Sequence, residues 1–187
     1  AATCGNLQAN IGDGAACEGV FHESLNLASV WQLPILYVCE NNQWQAFVHR
    51  RETMVADHIS SWAAPYGMAS ATVDGNDVEQ VRAVALEAVD SIRSTGRPFL
   101  LETYTYRLRG HFEPDDQAYV DPQELTTWRG RDPLLRMKTR LLESGRMNAE
   151  ALEAMETAAR QRIDAAVDFA ADSPFPELAE LVTDVYA

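Results

Sequence analysis

With 187 residues, 47% of them hydrophobic, the chain is long enough to bury a core, and no apolar run reaches the ~18 residues of a membrane span. Against 28 Asp and Glu stand only 15 Lys and Arg, and a formal net charge of -13 excludes the basic face that nucleic acid requires. Cys4, Cys17 and Cys39 show neither C-x-x-C spacing nor a nearby His cluster, so reduced thiols are expected, two of them buried, and not a disulfide framework or a zinc site.

Nothing at the N-terminus resembles a secretory leader, which points to the cytoplasm, and the opening Ala1-Ala2-Thr3 without an initiator Met suggests a fragment. Leu7 to Ile11 predicts a short strand feeding a glycine turn, although it is poor in Val and Ile for a buried parallel strand. From Glu18 to Trp31, Phe21, Leu25, Ala28 and Trp31 recur at three- and four-residue steps, the pattern of a helix face. Pro34 then opens Ile35-Leu36-Tyr37-Val38-Cys39, a continuous apolar run expected to be buried on both sides. Strand, helix and strand make a βαβ unit.

Residues 41–57 read as loop, and a short amphipathic helix follows near Ile59 to Tyr66, stopping at Gly67. Ala71-Thr72-Val73 is a short strand and Asp74-Gly75-Asn76 a turn, with Asn76 and Glu79 spaced as a capping box. The helix behind it is expected to bury Val78, Val81, Ala85, Val89 and Ile92 and to end at Gly96. Pro98 to Tyr106 is the clearest strand. Arg107 to Arg131 reads as one long loop of little apolar period, a length that tends to be functional. Helices follow: one opened by Asp132-Pro133, one capped by Asn148 that runs to about Ala171, and a short one after Pro176. The pattern predicts an α/β domain, doubly wound around a mostly parallel sheet, over residues 1–130, and a C-terminal helical extension over 131–187.

The chemistry-bearing residues gather at strand ends. Gly12-Asp13-Gly14-Ala15-Ala16 ends the first strand and Glu40-Asn41-Asn42 the next, where open α/β sheets bind ligands. Glycines at 12 and 14 allow a tight turn and a close approach, and the amides of Gly14 and Ala15 lie near a helix N-terminus that favours an anion. Asp13 offers a carboxylate oxygen and Asn42 an amide oxygen, which with phosphate oxygens and water suit Mg²⁺. Gly-Asp-Gly by itself reads more readily as a plain turn. Asn42 follows Asp13 by 29 positions, with a helix and a buried strand between them, and this spacing resembles the thiamine-diphosphate motif.

Gly12 to Ala16, Glu23, Asn26, Ala28, Trp31, Leu33-Pro34 and Glu40 to Asn42 together resemble the α subunits of pyruvate, branched-chain 2-oxo acid and acetoin dehydrogenases. Thr105-Tyr106-Arg107 with Gly110-His111 is similar to that family's Tyr-Arg-x-x-Gly-His loop, and Asp132-Pro133-Leu134 to the start of its next helix. The resemblance covers the chain after residue 10 and implies a missing N-terminal portion. It further implies a thiamine-diphosphate-binding fold, thiamine diphosphate and Mg²⁺ as cofactors, and Asp13, Asn42 and the Trp44 carbonyl as metal ligands. Gly14 and Ala15 would be the diphosphate contacts and His111 a cofactor-reaching catalytic residue. Implied partners are a β subunit in an α₂β₂ assembly, which supplies the glutamate that activates the cofactor, and a lipoyl-bearing E2 component. The implied reaction is decarboxylation of a 2-oxo acid with acyl transfer to lipoyl. Acetoin cleavage and a non-catalytic assembly piece are the alternatives.

Two departures stand out. Trp44 occupies the place of a Tyr, and Gln45-Ala46-Phe47-Val48 that of small Gly, Ser or Thr residues. Phe112 follows His111 where mammalian pyruvate dehydrogenases carry a phosphorylated Ser, which excludes phosphorylation control at that position and brings Gly110-His111-Phe112-Glu113 closer to acetoin dehydrogenase α chains. Glu18, Glu23 and Glu40 are weaker candidates as general acids, Glu23 being read as a surface or interface carboxylate. His22, His49 and His58 lack metal-ligand spacing.

Overall fold

The structure, a computed structural model, describes residues 7–183, so Cys4 lies outside the described residues. The chain divides into two compact units between Met137 and Lys138.

The first unit is built on four parallel strands, β1 (Leu7–Gly12), β2 (Ile35–Asn41), β5 (Ala69–Asp74) and β6 (Phe99–Tyr104), in the order β1-β2-β6-β5. Alternate residues of β2 and β6 serve opposite faces. Tyr37, Cys39 and Leu100 pack with Phe21, Leu25 and Ala28 of helix α2 (Gly19–Trp31) and with the 3₁₀ turns Ile59–Tyr66. Leu36, Val38 and Leu101 pack instead with Ala88 and Ile92 of α3 (Val78–Thr95). Helical elements therefore cover both faces, and the winding reverses between the β1–β2 pair and the β6–β5 pair, the arrangement of a doubly wound sheet.

Trp31, expected on the buried face, is 66% exposed. At 3.6 residues per turn it lies about 80° round the helix from Phe21, outside the stripe of Phe21, Leu25 and Ala28. Val78 also faces outward, at the first position of α3, while Val81, Ala85 and Val89 are partly buried as expected. The cap of α3 is Asp77, whose side chain accepts from the amides of Glu79 and Gln80. Asn76, expected in that role, is buried and bonds Thr105 and the Arg131 carbonyl. Gly67 ends the Ile59–Tyr66 element at φ 62°, as a left-handed cap.

The stretch expected as open loop contains structure. A tight hairpin, β3 (Trp44–Gln45) with β4 (Val48–His49), follows β2, and Arg50–Glu52 form a 3₁₀ turn. The segment after β6 includes α4 (Pro122–Arg129), capped by the Asp121 side chain on the Gln123 amide. It also has an apolar cluster of its own, in which Trp44, Tyr106, Val120 and Trp128 are buried together with Tyr106 and Trp128 stacked at 5.3 Å. Asp132 accepts from the amides of Leu134 and Leu135 and opens α5 (Pro133–Glu143).

The second unit holds the end of α5, helix α6 (Ala149–Asp172) capped by Asn148, and a 3₁₀ turn at Leu178–Val182. Among the described residues no helix is long and apolar enough to cross a membrane.

Candidate cofactor site at the strand ends

The parallel register sets Gly12 beside Glu40, so the turn after β1 and the Asn41-Asn42 pair at the end of β2 lie at the same end of the sheet on adjacent strands. Asp13 opens the single helical turn α1 (Asp13–Ala16). Its side chain is buried, and its Oδ2 has no hydrogen-bond partner among the described residues. Burial pushes the Asp13 carboxyl above its ordinary range, against the pull of its own amide, the Asn42 amide, and the charges of Arg50 and Arg107. A buried carboxylate oxygen with no partner is costly, and a cation is the group that would satisfy it.

The two asparagines do different work. The Asn41 side chain is fully buried and donates to Glu102 Oε1 at 2.6 Å, while Glu102 Oε2 accepts from the Ser60 amide and the Thr72 hydroxyl. Asn41 is thus a strut between β2, β5, β6 and the Ile59–Tyr66 element. The Asn42 side chain stays only partly buried, and its Oδ1 accepts from the Trp44 amide at 3.0 Å, which leaves that oxygen a second lone pair. The continuation of β6 braces the same turn, since the Thr105 amide donates to the Asn41 carbonyl and the Arg107 amide to the Asn42 carbonyl.

Glycine was expected at 12 and 14 to let the backbone turn. Gly12 instead sits at φ -93° and ψ 167°, open to any residue, and a Cβ there would meet nothing within 4 Å. At Gly14 a Cβ would make ordinary contact with the Gln45 side chain, at 3.5 Å or more. Neither glycine is demanded by the described residues of this chain, and a Cβ at Gly12 would stand in open space. Gly12 offers no side-chain cap, and helix geometry gives the Gly14 and Ala15 amides no intrahelical acceptor.

Trp44 follows directly, its main chain tied to Asn42 and its ring buried against His49, Tyr119 and Tyr106. The hairpin it begins stands between the Asp13 turn and His111. Gln45 reaches back, with Nε2 at 3.5 Å from the Asp13 carbonyl and 3.3 Å from Cys17 Sγ. Phe47 reaches forward to His111, ring centroids 5.6 Å apart. His111 is exposed, its amide donates to Asp115 Oδ2 at 2.6 Å, and it helps line a cleft of about 450 Å³ with Leu108, Arg109, Phe112 and Arg129. The structure therefore gathers Asp13, Gly14, Ala15, Asn42 and Trp44 into one neighbourhood and sets His111 across the hairpin tip.

Residues 7–179 match the Dehydrogenase E1 component family. The chain belongs to that family. It is 41% identical over 94% of its length to the α subunit of acetoin:2,6-dichlorophenolindophenol oxidoreductase of Bacillus subtilis, of which it covers 52%. It is 36% identical to the pyruvate dehydrogenase E1 component α subunits of Porphyra purpurea and Rhizobium meliloti, covering 51% of each. The chain thus spans about half the length of these relatives.

Within this E1-family chain, sequence reading missed three site neighbours. Arg50 is buried, donates from Nη1 to the Ala56 carbonyl, and lies 5.6 Å over the Tyr104 ring, in a segment without periodicity to flag it. Arg107 was visible as a motif residue, but not as the bridge it is: Nη2 donates to the Ala46 carbonyl and the Tyr119 hydroxyl, both at 2.7 Å, and Nη1 lies 3.5 Å from His111 Nδ1. Asp115 accepts from Tyr119 and from the amides of Gln117 and His111, and the Tyr119 hydrogen bond leads in holding its carboxyl below the usual range. Among the remaining candidates, Glu23 is exposed on α2, as expected of a surface carboxylate, and His22 bonds the Tyr66 hydroxyl. Cys39 is buried and Cys17 exposed, both as free thiols. No three His, Cys, Asp or Glu among the described residues gather as a metal site.

Proposed function

We propose that this chain is the cofactor-holding half of an E1 α subunit and takes part in thiamine-diphosphate-dependent decarboxylation of a 2-oxo acid of pyruvate type, in the cytoplasm. The observation that carries this reading is the buried Asp13 carboxylate with an unpartnered oxygen, set beside Asn42 at adjacent strand ends. Asp13, the Asn42 side chain and the Trp44 carbonyl would hold Mg²⁺, all of them the hard oxygen donors that ion prefers. The Gly14 and Ala15 amides would face the diphosphate, with Gly12 leaving room for it. Thiamine diphosphate, when bound, supplies a carbon nucleophile and an electron sink for cleaving a bond next to a carbonyl. His111 would hold or move a proton at the open edge of the site, and Asp115 fixes its main chain.

The rest of the site lies outside this chain. A β subunit in an α₂β₂ assembly would supply the activating glutamate, and the lipoyl group of an E2 component would accept the acyl unit. Acetoin cleavage is the second reading, favoured by the 41% identity to the acetoin-oxidising relative and by Phe112-Glu113 after His111.

The test is kinetic. The full-length α chain assembled with its β partner is assayed against pyruvate, branched 2-oxo acids and acetoin, as wild type and as His111→Ala. Turnover on one of these substrates should fall by a factor on the order of 10²–10⁴ in the variant, the range for a positioned acid or base, with cofactor affinity changing far less. No turnover of any of them by the wild-type complex would sink the reading.

A further inference from the structure

We infer that Phe47 is a positioning residue for His111, closing from one side a clamp whose other side is Arg107; the effect on turnover rests on the functional reading above. Phe47 stands at the tip of the β3–β4 hairpin and is 50% exposed, so it builds little of the core. Its ring meets three others edge-on: His111 at 5.6 Å, Tyr119 at 5.5 Å and Phe112 at 6.2 Å. Such edge-to-face contacts are directional as well as apolar, so they select a ring orientation in a way an aliphatic contact does not.

The hairpin tip is pinned for this purpose. Ala46, just before Phe47, holds a left-handed φ of 52°, and its carbonyl accepts from Arg107 Nη2 at 2.7 Å. The same guanidinium places Nη1 at 3.5 Å from His111 Nδ1 and bonds the Tyr119 hydroxyl. One cation thus ties the hairpin tip to the loop, and the imidazole neighbours both that cation and the Phe47 ring. An outlying backbone angle beside a functional side chain is tolerated where surrounding bonds over-determine it, as here. Phe112 is 53% exposed and leans on Phe47 as well. The two phenylalanines therefore meet beside His111, and neither is buried enough to fill the core.

The clamp acts on His111 and not on the metal ligands, so its loss is read at the loop. Hydrogen exchange in the full-length α chain assembled with its β partner reports it through the His111 amide, which is bonded to Asp115 Oδ2. Phe47→Ala should speed exchange at that amide by roughly 2- to 10-fold, with thermal stability and thiamine diphosphate affinity held, and Phe47→Tyr should restore the wild-type rate. In the same variants kcat should fall with KM unchanged and recover with Tyr. Unchanged exchange in Phe47→Ala overturns the clamp whether or not the complex is active. Faster exchange with unchanged kcat overturns its role in positioning. If the wild-type complex turns over none of the substrates while exchange responds as described, the functional reading fails and the clamp stands.

Discussion

Gly110 lies so close to Asp115 that a Cβ on it would stand 2.6 Å from both the Asp115 Cβ and its carbonyl oxygen. Two of the atoms met are rigidly attached to backbone, so Gly110→Ala must open the loop. The Asp115 bonds to the His111 amide and the Tyr119 hydroxyl would go with it. Displacing a reacting group by about 1 Å can cost on the order of 10² in rate. The expected outcome is a loss of turnover of that order with cofactor affinity nearly held, measured in the assembled complex. Near-normal turnover would mean that the loop does not need this close approach.

Gly12→Ala makes the complementary case. The protein leaves open space around a Cβ at 12 and the backbone there is unstrained, so the melting temperature should not drop. Thiamine diphosphate affinity should fall, because the methyl would occupy the room left for the incoming group. If the variant melts lower but binds as before, the glycine serves the fold and not the ligand.

Much of this was legible in the sequence, and what was not has physical reasons. The βαβ unit, the α3–β6 pair and the pairing of Asp13 with Asn42 follow from periodicity and spacing, and the parallel ladder carries them to one sheet end. Trp31 misled because a spacing of three after Ala28 drifts off the stripe. The cap moved from Asn76 to Asp77 because Asn76 has long-range partners, Thr105 and Arg131, that no local pattern announces. The segment after Arg107 looked featureless because its apolar residues, Val120 and Trp128 among them, join a cluster with Trp44, which lies far earlier in the chain, and no local period announces that.

That last difference changes what the segment should do in solution. A loop without anchoring would exchange freely until cofactor ordered it. Here Tyr106, Val120 and Trp128 are buried in a common cluster, so amides of α4 should be protected even without cofactor, and only those from Arg109 to Ala118 should slow when it binds. Hydrogen exchange with and without thiamine diphosphate checks this, and uniform rapid exchange through residue 129 would contradict it.

Asp74 anchors the start of α5 through Arg136 at 2.9 Å and Arg131 at 3.3 Å. Burial pushes its carboxyl up, but the Arg136 hydrogen bond, the Asn76 amide and the two guanidinium charges outweigh it and hold the group below the usual range. A depressed carboxyl contributes stability that is full above the ordinary Asp range and lost as pH falls through the lowered value. Solvent screens this half-open pair, so Asp74→Asn should cost no more than about 1 kcal/mol at pH 7 and make the acid arm of the stability curve shallower. Identical curves for the two proteins would show the pair to be neutral.

On the proposed reading, the buried Asp13 Oδ2, which has no hydrogen-bond partner among the described residues, is the oxygen that would hold a metal. A carboxyl raised by burial favours the folded state only while protonated, and that contribution is lost as pH rises through the raised value. At neutral pH the metal-free protein carries a cost, and Asp13→Asn should relieve it by ~1–3 kcal/mol. Calorimetric titration of thiamine diphosphate into the full-length α chain with its β partner, with and without Mg²⁺, is the direct measurement. Binding should require Mg²⁺ in the wild type and be lost in Asp13→Asn, although that variant melts no lower. Equal affinity in the variant, or binding indifferent to Mg²⁺, would contradict the claim.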